Sequence, residues 1–283
     1  MSQKIKFLIE SASIILKAST IDSSLLDSQL LLGHSLDKNR SFVICNPEFI
    51  PSTEQVNRFN KLVLRRKMRE PISHILGYRE FYSREFKITC DVLDPRPDTE
   101  TLIDIVKDNF DKKDNFCFLD IGTGSGNITT TLLAEFANSS GFALDISKNA
   151  LIIAKNNTVT HKVDNRVEFI QSDLFENMTK TCKFDLIISN PPYIPTKTIQ
   201  NLEKEVSCYE PNIALDGGSD GLDFYKKISK NAKKYLKTNG KLLFEIGFDQ
   251  NKQILDILQK DKYHNLKSFQ DLAHNDRAIL ATS

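Results

Sequence analysis

The fold is decided by one stretch, Asp120-Ile121-Gly122-Thr123-Gly124-Ser125-Gly126. An apolar run at 116–121 leads into it, and Ile128, Leu132 and Leu133 follow at helical spacing. Glycines between a strand and a helix allow a tight turn whose backbone N–H groups can approach a ligand at the helix N-terminus. The pattern therefore predicts a strand, a ligand-binding turn and a helix.

Outward from this turn, apolar runs of strand length alternate with segments of helix length. The further runs lie at 142–146, 167–170, 184–188 and 241–246. Such alternation is typical of a parallel sheet with helices on both faces. We therefore predict an α/β domain.

The first 75 residues have a different pattern, with apolar residues at helical spacing. Ser52 and Gln55 form a capping-box pattern, and an earlier helix is predicted to bury a stripe that includes Leu25 and Leu26. Aromatic and β-branched residues then predict a β-hairpin. The chain is thus divided into a helical domain at 1–75, a hairpin linker at 76–95 and a main domain at 96–283.

Glycine spacing within the turn indicates its ligand. A dinucleotide fingerprint, G-x-G-x-x-G, would need its third glycine at Asn127. The form found here resembles the S-adenosylmethionine loop of Rossmann-like methyltransferases; a glycine turn without a ligand is the alternative. Asp145, at the end of the next strand, could accept hydrogen bonds from both ribose hydroxyls. Asp173 could accept from the adenine amino group while Leu174 covers the ring, or Asp173 could cap a helix.

A second motif, Asn190-Pro191-Pro192-Tyr193, follows the apolar run at 184–188 directly. Two prolines make a rigid arm whose carbonyls have no partners in the sheet. The Asn190 side-chain oxygen and the Pro191 carbonyl could accept both N–H bonds of a planar amide or amine and aim its lone pair at a methyl donor. Tyr193 could pack against that group, and neither a metal nor a strong base is required. The alternative is an Asn-Pro turn with a surface tyrosine.

With both motifs placed, the sequence resembles class I S-adenosylmethionine-dependent methyltransferases, and more narrowly the release factor glutamine methyltransferase family (PrmC/HemK). The resemblance covers essentially the whole chain. Besides the two motifs it rests on Pro95-Arg96-Pro97-Asp98-Thr99-Glu100, Glu210-Pro211 and the stretches 70–82, 217–222 and 244–247. Three places depart from the family pattern: Leu174, where many relatives carry an aromatic residue, Asp94, at a usually apolar place, and 271–277, which lacks the usual glycine.

The resemblance implies a Rossmann-like seven-stranded methyltransferase domain preceded by a small helical-bundle domain, which would recognise the substrate protein, and a β-hairpin linker. The activity implied is methylation of the side-chain amide nitrogen of the glutamine in the Gly-Gly-Gln motif of peptide chain release factors, which modulates translation termination. The implied cofactor-binding residues are Gly122, Thr123, Gly124, Ser125, Gly126, Asp145, Asp173, Leu174 and Asn190. Substrate binding is assigned to Asn190, Pro191, Pro192 and Tyr193, with Asn190, Pro191 and Tyr193 catalytic. Arg96, Asp98, Thr99 and Glu100 are candidates for closing the pocket.

Composition bears on the competing functions. The 283 residues include 38 Lys and Arg against 37 Asp and Glu, a net charge of +1, which gives no overall field for a polyanion. An N6-adenine DNA or RNA methyltransferase is the main alternative, because its target is also a planar amine. A basic cluster, defined as Arg58, Lys61, Arg65, Arg66, Lys67 and Arg69, could reach nucleic acid or be a solvated helix face. A binding module without catalysis is a third possibility.

Other sequence features bear on metal binding, membrane insertion and cellular location. The histidines and cysteines are dispersed, so no metal is expected. No apolar run approaches the ~20 residues of a membrane span. We expect a cytoplasmic monomer without a stable nucleic-acid partner.

Overall fold

The computed structural model describes residues 4–179 and 181–283, so the first three residues of the predicted helical domain lie outside it. The chain forms two compact units. One contains the residues up to Gly77 together with Glu203–Tyr209, and the other contains Tyr78–Leu202 and Glu210–Ser283. Within the described residues, every helix is too short or too polar to span a membrane.

The helical unit buries an apolar centre between its helices. They are α1 (Ile5–Lys17), α2 (Ser24–Ser35), α3 (Arg40–Cys45), α4 (Thr53–Lys67) and α5 (Ile72–Leu76). The predicted capping box is confirmed at α4: the Gln55 backbone N–H donates to the Ser52 hydroxyl at 3.2 Å, and the Ser52 N–H donates to the Gln55 side chain at 2.9 Å. Two of the four orphan donors of the helix end are thereby satisfied.

The predicted buried stripe of α2 is wrong at Leu25 and Leu26, which are 55% and 42% exposed. The inward face instead carries Asp27, whose carboxylate pairs with the Arg66 guanidinium at 2.7 Å. Both side chains are buried, and a buried charge requires such a partner. This ion pair turns the two leucines outward.

The segment Glu203–Tyr209, with the short helix α9 (Lys204–Ser207), packs on α4 within the same unit. The Glu205 carboxylate accepts from Arg66 at 3.0 Å and from Arg69 at 2.7 Å. The Tyr209 hydroxyl donates to the Met68 carbonyl at 2.9 Å. A segment distant in sequence thus completes the helical unit.

The second unit begins with the predicted hairpin, β1 (Tyr78–Phe81) and β2 (Arg84–Lys87). A 3₁₀ turn, Pro97–Thr99, then leads into α6 (Glu100–Asn109). The main sheet contains β3 (Cys117–Ile121), β4 (Ser140–Asp145), β5 (Val167–Gln171), β6 (Phe184–Ser189), β7 (Leu236–Glu245), β8 (His264–Gln270) and β9 (Asp276–Thr282). Its helices are α7 (Asn127–Glu135), α8 (Lys148–Thr160), α10 (Asp223–Ala232) and α11 (Asn251–Lys260).

In the described part of the chain, these seven strands pair in the order β5-β4-β3-β6-β7-β9-β8. The predicted α/β class and seven-stranded sheet are confirmed. Pairing is parallel from β5 to β7, but β9 runs antiparallel to both β7 and β8. The sheet is therefore mostly parallel, with β9 as its antiparallel strand among the described residues. The edge strand β8 is mostly exposed, which is why its sequence lacks an apolar run.

Side chains of the central strands alternate between two apolar clusters, one on each face of the sheet. In β6, Leu186 and Ile188 belong to one cluster and Ile187 to the other. In β7, Leu243 faces the first cluster, while Leu242 faces the second. Because successive strand residues point to opposite faces, strands buried on both sides read as continuous apolar runs.

The C-terminal turn between β8 and β9 accommodates the missing family glycine at 271–277. His274 there adopts a left-handed conformation with φ of 63°. The Asp271 carboxylate accepts from the backbone N–H groups of Ala273 and Asn275 at 2.9 and 3.0 Å, and it pairs with Arg277 at 3.0 Å. These bonds hold the turn without glycine.

Gly141 tests the packing of the central sheet. It pairs with Phe118, and a Cβ at this position would lie 2.5 to 3.0 Å from the fully buried Phe118 ring. We expect Gly141→Ala to lower the free energy of unfolding by about 1–3 kcal/mol, measured by urea denaturation. Glu168→Ala, at an exposed position of the neighbouring strand, should change it by less than about 0.5 kcal/mol. Equal stability of the two variants would contradict this packing.

Candidate active site

The glycine turn leaves β3 at the carboxyl edge of the sheet. Gly122, Gly124 and Gly126 have φ of 73°, 55° and 75°, a conformation that favours glycine. The N–H groups of Gly122 and Thr123 both donate to the Leu144 carbonyl at 2.9 Å, which fixes the turn on β4.

The three glycines have two different roles. A Cβ on Gly122 or Gly124 would meet no protein atom within 4 Å, and both residues line a cavity. A Cβ on Gly126 would lie 2.9 Å from that of Ala154 on α8. The first two glycines thus leave open space for a ligand, whereas the third allows close packing of the turn.

Behind the turn lies the buried carboxylate of Asp120. Its Oδ2 accepts from the hydroxyls of Thr123 and Thr129, both at 2.7 Å, while Oδ1 has no partner among the described residues. Burial raises the pKa of Asp120 to about 6, against the lowering effect of the two hydroxyls. Thr123 therefore supports the turn from inside, and Ser125, also buried, bonds to Asn127.

Asp145 stands at the end of β4, opposite the turn. Its two carboxylate oxygens accept from the backbone N–H groups of Gly124 and Ser147, each at 2.9 Å. Burial raises the pKa of this carboxyl, and the backbone donors oppose the rise. Each oxygen keeps a further lone pair, so the carboxylate can still accept hydrogen bonds from a ligand.

The cavity brings together most of the residues predicted for the site. Gly122, Gly124, Asp145, Asp173, Leu174, Asn190, Pro191 and Pro192 all line it. Thr123, Ser125, Gly126, Tyr193 and the linker residues from Arg96 to Glu100 do not. Within the predicted glycine turn, Gly122 and Gly124 therefore line the cavity, whereas the residues between and after them support the turn.

Sequence reasoning missed several apolar walls of the cavity. They are formed by Val92 and Leu93 before the proline-rich stretch, by Pro211, Ile213 and Ala214, and by Phe224 and Ile228 of α10. Of these wall residues, only Pro211 belongs to a stretch that carries the family resemblance. The place of all of them on the cavity depends on tertiary folding, so no local pattern could assign it.

Asp173 and Leu174 lie on a turn after β5. Residues 174–177 form that turn rather than a helix, so the alternative of a helix N-cap for Asp173 is wrong. The Asn177 N–H is instead bound by the Ser172 hydroxyl at 3.0 Å. Leu174 adopts φ of 48° and is half-buried.

The arm of residues 190–193 is held by contacts from neighbouring segments. The Tyr193 carbonyl accepts from the Gln250 side chain at 3.0 Å. Gly217 and Gly221 approach the arm so closely that a Cβ on either would meet its backbone. Among the described residues, nothing donates to the Pro191 carbonyl or to Asn190 Oδ1.

A chain of hydrogen bonds continues inward from Asn190. Its Nδ2 donates to the Thr99 hydroxyl oxygen at 3.3 Å, and that hydroxyl donates to the Glu245 carboxylate at 2.6 Å. Thr99 and Glu245 are both buried. Burial raises the pKa of Glu245 to about 7, while the hydrogen bond from Thr99 and the charge of Arg277 oppose the rise.

The other linker candidates have separate partners. One guanidinium nitrogen of Arg96 lies 2.6 and 2.8 Å from the two oxygens of the buried Glu210 carboxylate. Asp98 pairs with Arg277 at 3.2 Å. Glu100 accepts from the Tyr82 backbone N–H at 2.7 Å, so it secures the hairpin turn and not the cavity.

Tyr193 is half-buried against the apolar cluster that includes Leu242. Burial raises the pKa of its hydroxyl to about 12, with a smaller contribution from the Glu245 carboxylate. The ring thus packs against this apolar cluster, and Tyr193 is not among the residues that line the cavity.

Comparisons with known proteins match both units. Residues 8–77 match a family described as the PrmC N-terminal domain, and residues 112–276 match a family described as a methyltransferase domain. A release factor glutamine methyltransferase from Clostridium botulinum is 39% identical over 275 residues, which cover 97% of each chain.

Other relatives are longer. A bifunctional methyltransferase from Rickettsia typhi is 38% identical over 99% of this chain, but this chain spans only 57% of that protein. The crystal structure of a methyltransferase from Pyrococcus furiosus superposes with a TM-score of 0.53 at 19% identity, covering 80% of this chain and 98% of that one. This likeness shows a shared Rossmann-like methyltransferase fold.

The raised pKa of Asp120 has a consequence for stability. Its folded-state pKa of about 6 lies above the ordinary value of 3.8, so protonation favours the folded state. This contribution is complete below about pH 4 and is lost as the pH rises through about 6. The stability of Asp120→Asn relative to the parent should therefore increase by about 2–3 kcal/mol from pH 4 to 7 in urea denaturation. Parallel pH curves for the two proteins would contradict it.

Proposed function

Because the chain belongs to the release factor glutamine methyltransferase family, we propose that it transfers a methyl group from S-adenosylmethionine to a glutamine side-chain amide of a peptide chain release factor. The glutamine is that of the Gly-Gly-Gln motif. The observation that carries this proposal is a pair of acceptors, Asn190 Oδ1 and the Pro191 carbonyl, which receive no hydrogen bond from any described residue and belong to an arm that lines the cavity.

The cavity fits S-adenosylmethionine on the chemistry of its lining. The open space at Gly122 and Gly124 admits a ligand against the backbone, and the spare lone pairs of Asp145 suit a ribose diol. Asp173 and the apolar Leu174 lie on the same wall, where an adenine amino group and ring would be bound. The apolar residues of the linker and α10 line other parts of the cavity.

The arm positions the amide. An amide nitrogen is a poor nucleophile because its lone pair is delocalised, so orientation must supply much of the rate. The two acceptors would bind its two N–H bonds and direct the lone pair. When bound, S-adenosylmethionine supplies a sulfonium methyl group: the nitrogen–carbon bond forms as the carbon–sulfur bond breaks, and that electron pair stays on sulfur. The nitrogen then gives one proton to solvent.

The contacts of the basic cluster favour a protein substrate over nucleic acid. Arg58, Arg65, Arg66 and Arg69 pair with acidic side chains of the helical unit, at N···O distances from 2.5 to 3.1 Å. Of this cluster, only Lys61 and Lys67 lack an ion pair in the described residues. Neutralised arginines contribute little to binding phosphates. The N6-adenine alternative therefore loses its main electrostatic support.

The proposed function also assigns a role to each part of the chain. We assign residues 1–75 to recognition of the substrate protein, 76–95 to the linker and 96–283 to catalysis. Encounter with a release factor would be transient, and the proposed place of action is the cytoplasm.

Asn190 provides the sharpest test of the proposed chemistry. Asn190→Ala removes one acceptor, so methyl transfer to a release factor should fall by about 100-fold or more, while S-adenosylmethionine binding changes less than about threefold. Labelled-methyl transfer and calorimetric titration measure the two quantities. Near-normal transfer by this variant would overturn the assignment.

Asp145 provides the complementary test. Asp145→Ala removes the predicted ribose acceptor and should weaken S-adenosylmethionine binding by about 10- to 100-fold in the same titration. Circular dichroism would confirm that the variant is folded. An unchanged affinity would remove Asp145 from the cofactor site.

A further inference from the structure

Asn190 can serve as an acceptor only if its carboxamide has the correct orientation. The group has an acceptor end and a donor end of nearly the same shape, and a rotation of 180° exchanges them. With Nδ2 directed at the target amide, two donors would face each other. Some feature of the fold must therefore determine which end faces outward.

The hydrogen bonds of the Thr99 hydroxyl distinguish the two ends of the Asn190 carboxamide. A hydroxyl has one proton, and here that proton is directed to the Glu245 carboxylate at 2.6 Å. Toward Asn190 the hydroxyl therefore presents a lone pair, which accepts from Nδ2 at 3.3 Å. Oδ1 is left facing away from Thr99, free of donors within the described residues.

We propose that Glu245 and Thr99 are positioning residues, which fix the polarity of the Asn190 carboxamide through this directed chain of hydrogen bonds. The inference rests on the proposed role of Asn190 as an acceptor for the target nitrogen. Neither residue touches the substrate. Both act through the orientation of Asn190.

The hydrogen bonds between Asn190, Thr99 and Glu245 are protected by burial. Thr99 is 2% exposed and Glu245 1% exposed, so water does not compete for the hydroxyl. Both residues belong to regular secondary structure: Thr99 ends the 3₁₀ turn after the proline-rich stretch, and Glu245 ends β7. The Tyr225 hydroxyl donates to the Glu245 backbone carbonyl at 2.9 Å, which anchors the strand end.

This chain of hydrogen bonds has a fixed direction only while Glu245 is ionised. A protonated carboxyl can itself donate to the Thr99 oxygen, and the threonine proton is then free to turn toward Asn190 and favour the opposite amide orientation. The titratable and charged groups around Glu245 are Arg96, Asp98, Tyr193, Tyr225 and Arg277. Because the pKa of Glu245 is raised to about 7, methyl transfer should decline as the pH falls through that value.

Three variants test the role of this chain in turnover. Thr99→Val keeps the shape but removes the hydroxyl, and kcat should fall by about 10- to 100-fold with cofactor affinity unchanged. Thr99→Ser restores the hydroxyl and should recover most of the loss. Glu245→Gln, which cannot titrate, should lose the acidic limb of the kcat–pH profile. Full activity of Thr99→Val, or an acidic limb that persists in Glu245→Gln, would overturn the proposal.

A spectroscopic measurement separates this inference from the proposed function. In the folded protein, the Asn190 side-chain ¹⁵NH₂ signals, assigned by their loss in Asn190→Ala, should shift with a midpoint near pH 7, and this shift should vanish in Glu245→Gln. If that titration is seen in a protein that methylates no release factor, the proposed function fails and the directed chain remains. If release factors are methylated but the signals do not titrate, the directed chain fails alone.

Discussion

The site depends on one constraint, the parallel pairing of β3 with β4 on one side and β6 on the other. Parallel strands end at the same edge of a sheet, so the residues that follow them meet there. The glycine turn, Asp145 and Asn190 each come from the end of one of these three strands. No contact among their side chains is needed to gather them, because the sheet register does so.

Buried acids form a second layer beneath this edge. Asp120 supports the glycine turn through two threonine hydroxyls, and Glu245 reaches Asn190 through a third. Burial raises the pKa of both carboxyls, so each charge destabilises the folded state near neutral pH. Each buried carboxylate orients the threonine hydroxyls bound to it, because a charged acceptor at short range directs the single proton of a hydroxyl. The site thus combines an open surface for ligands with a buried polar support.

Local patterns were sufficient for the central strands, the glycine turn and the capping box at Ser52, since each reflects short-range geometry. They were insufficient where a distant residue decides the outcome. Leu25 and Leu26 are exposed because Asp27 turns inward to Arg66. The segment Glu203–Tyr209 joins the helical unit through Glu205. The residue pattern within that segment does not predict these contacts. Likewise, the family motif containing Thr99 was visible, but its contacts with Asn190 and Glu245 span 91 and 146 residues.

In the proposed function, the arm at Asn190 presents a protein glutamine, and not a nucleic-acid base, to the methyl donor. The most direct test is to incubate the protein with labelled S-adenosylmethionine and either a release factor or DNA, and then to locate the label by mass spectrometry. We expect one methyl group on the glutamine of the Gly-Gly-Gln motif and none on DNA. Label on adenine in DNA, with an unmodified release factor, would contradict it.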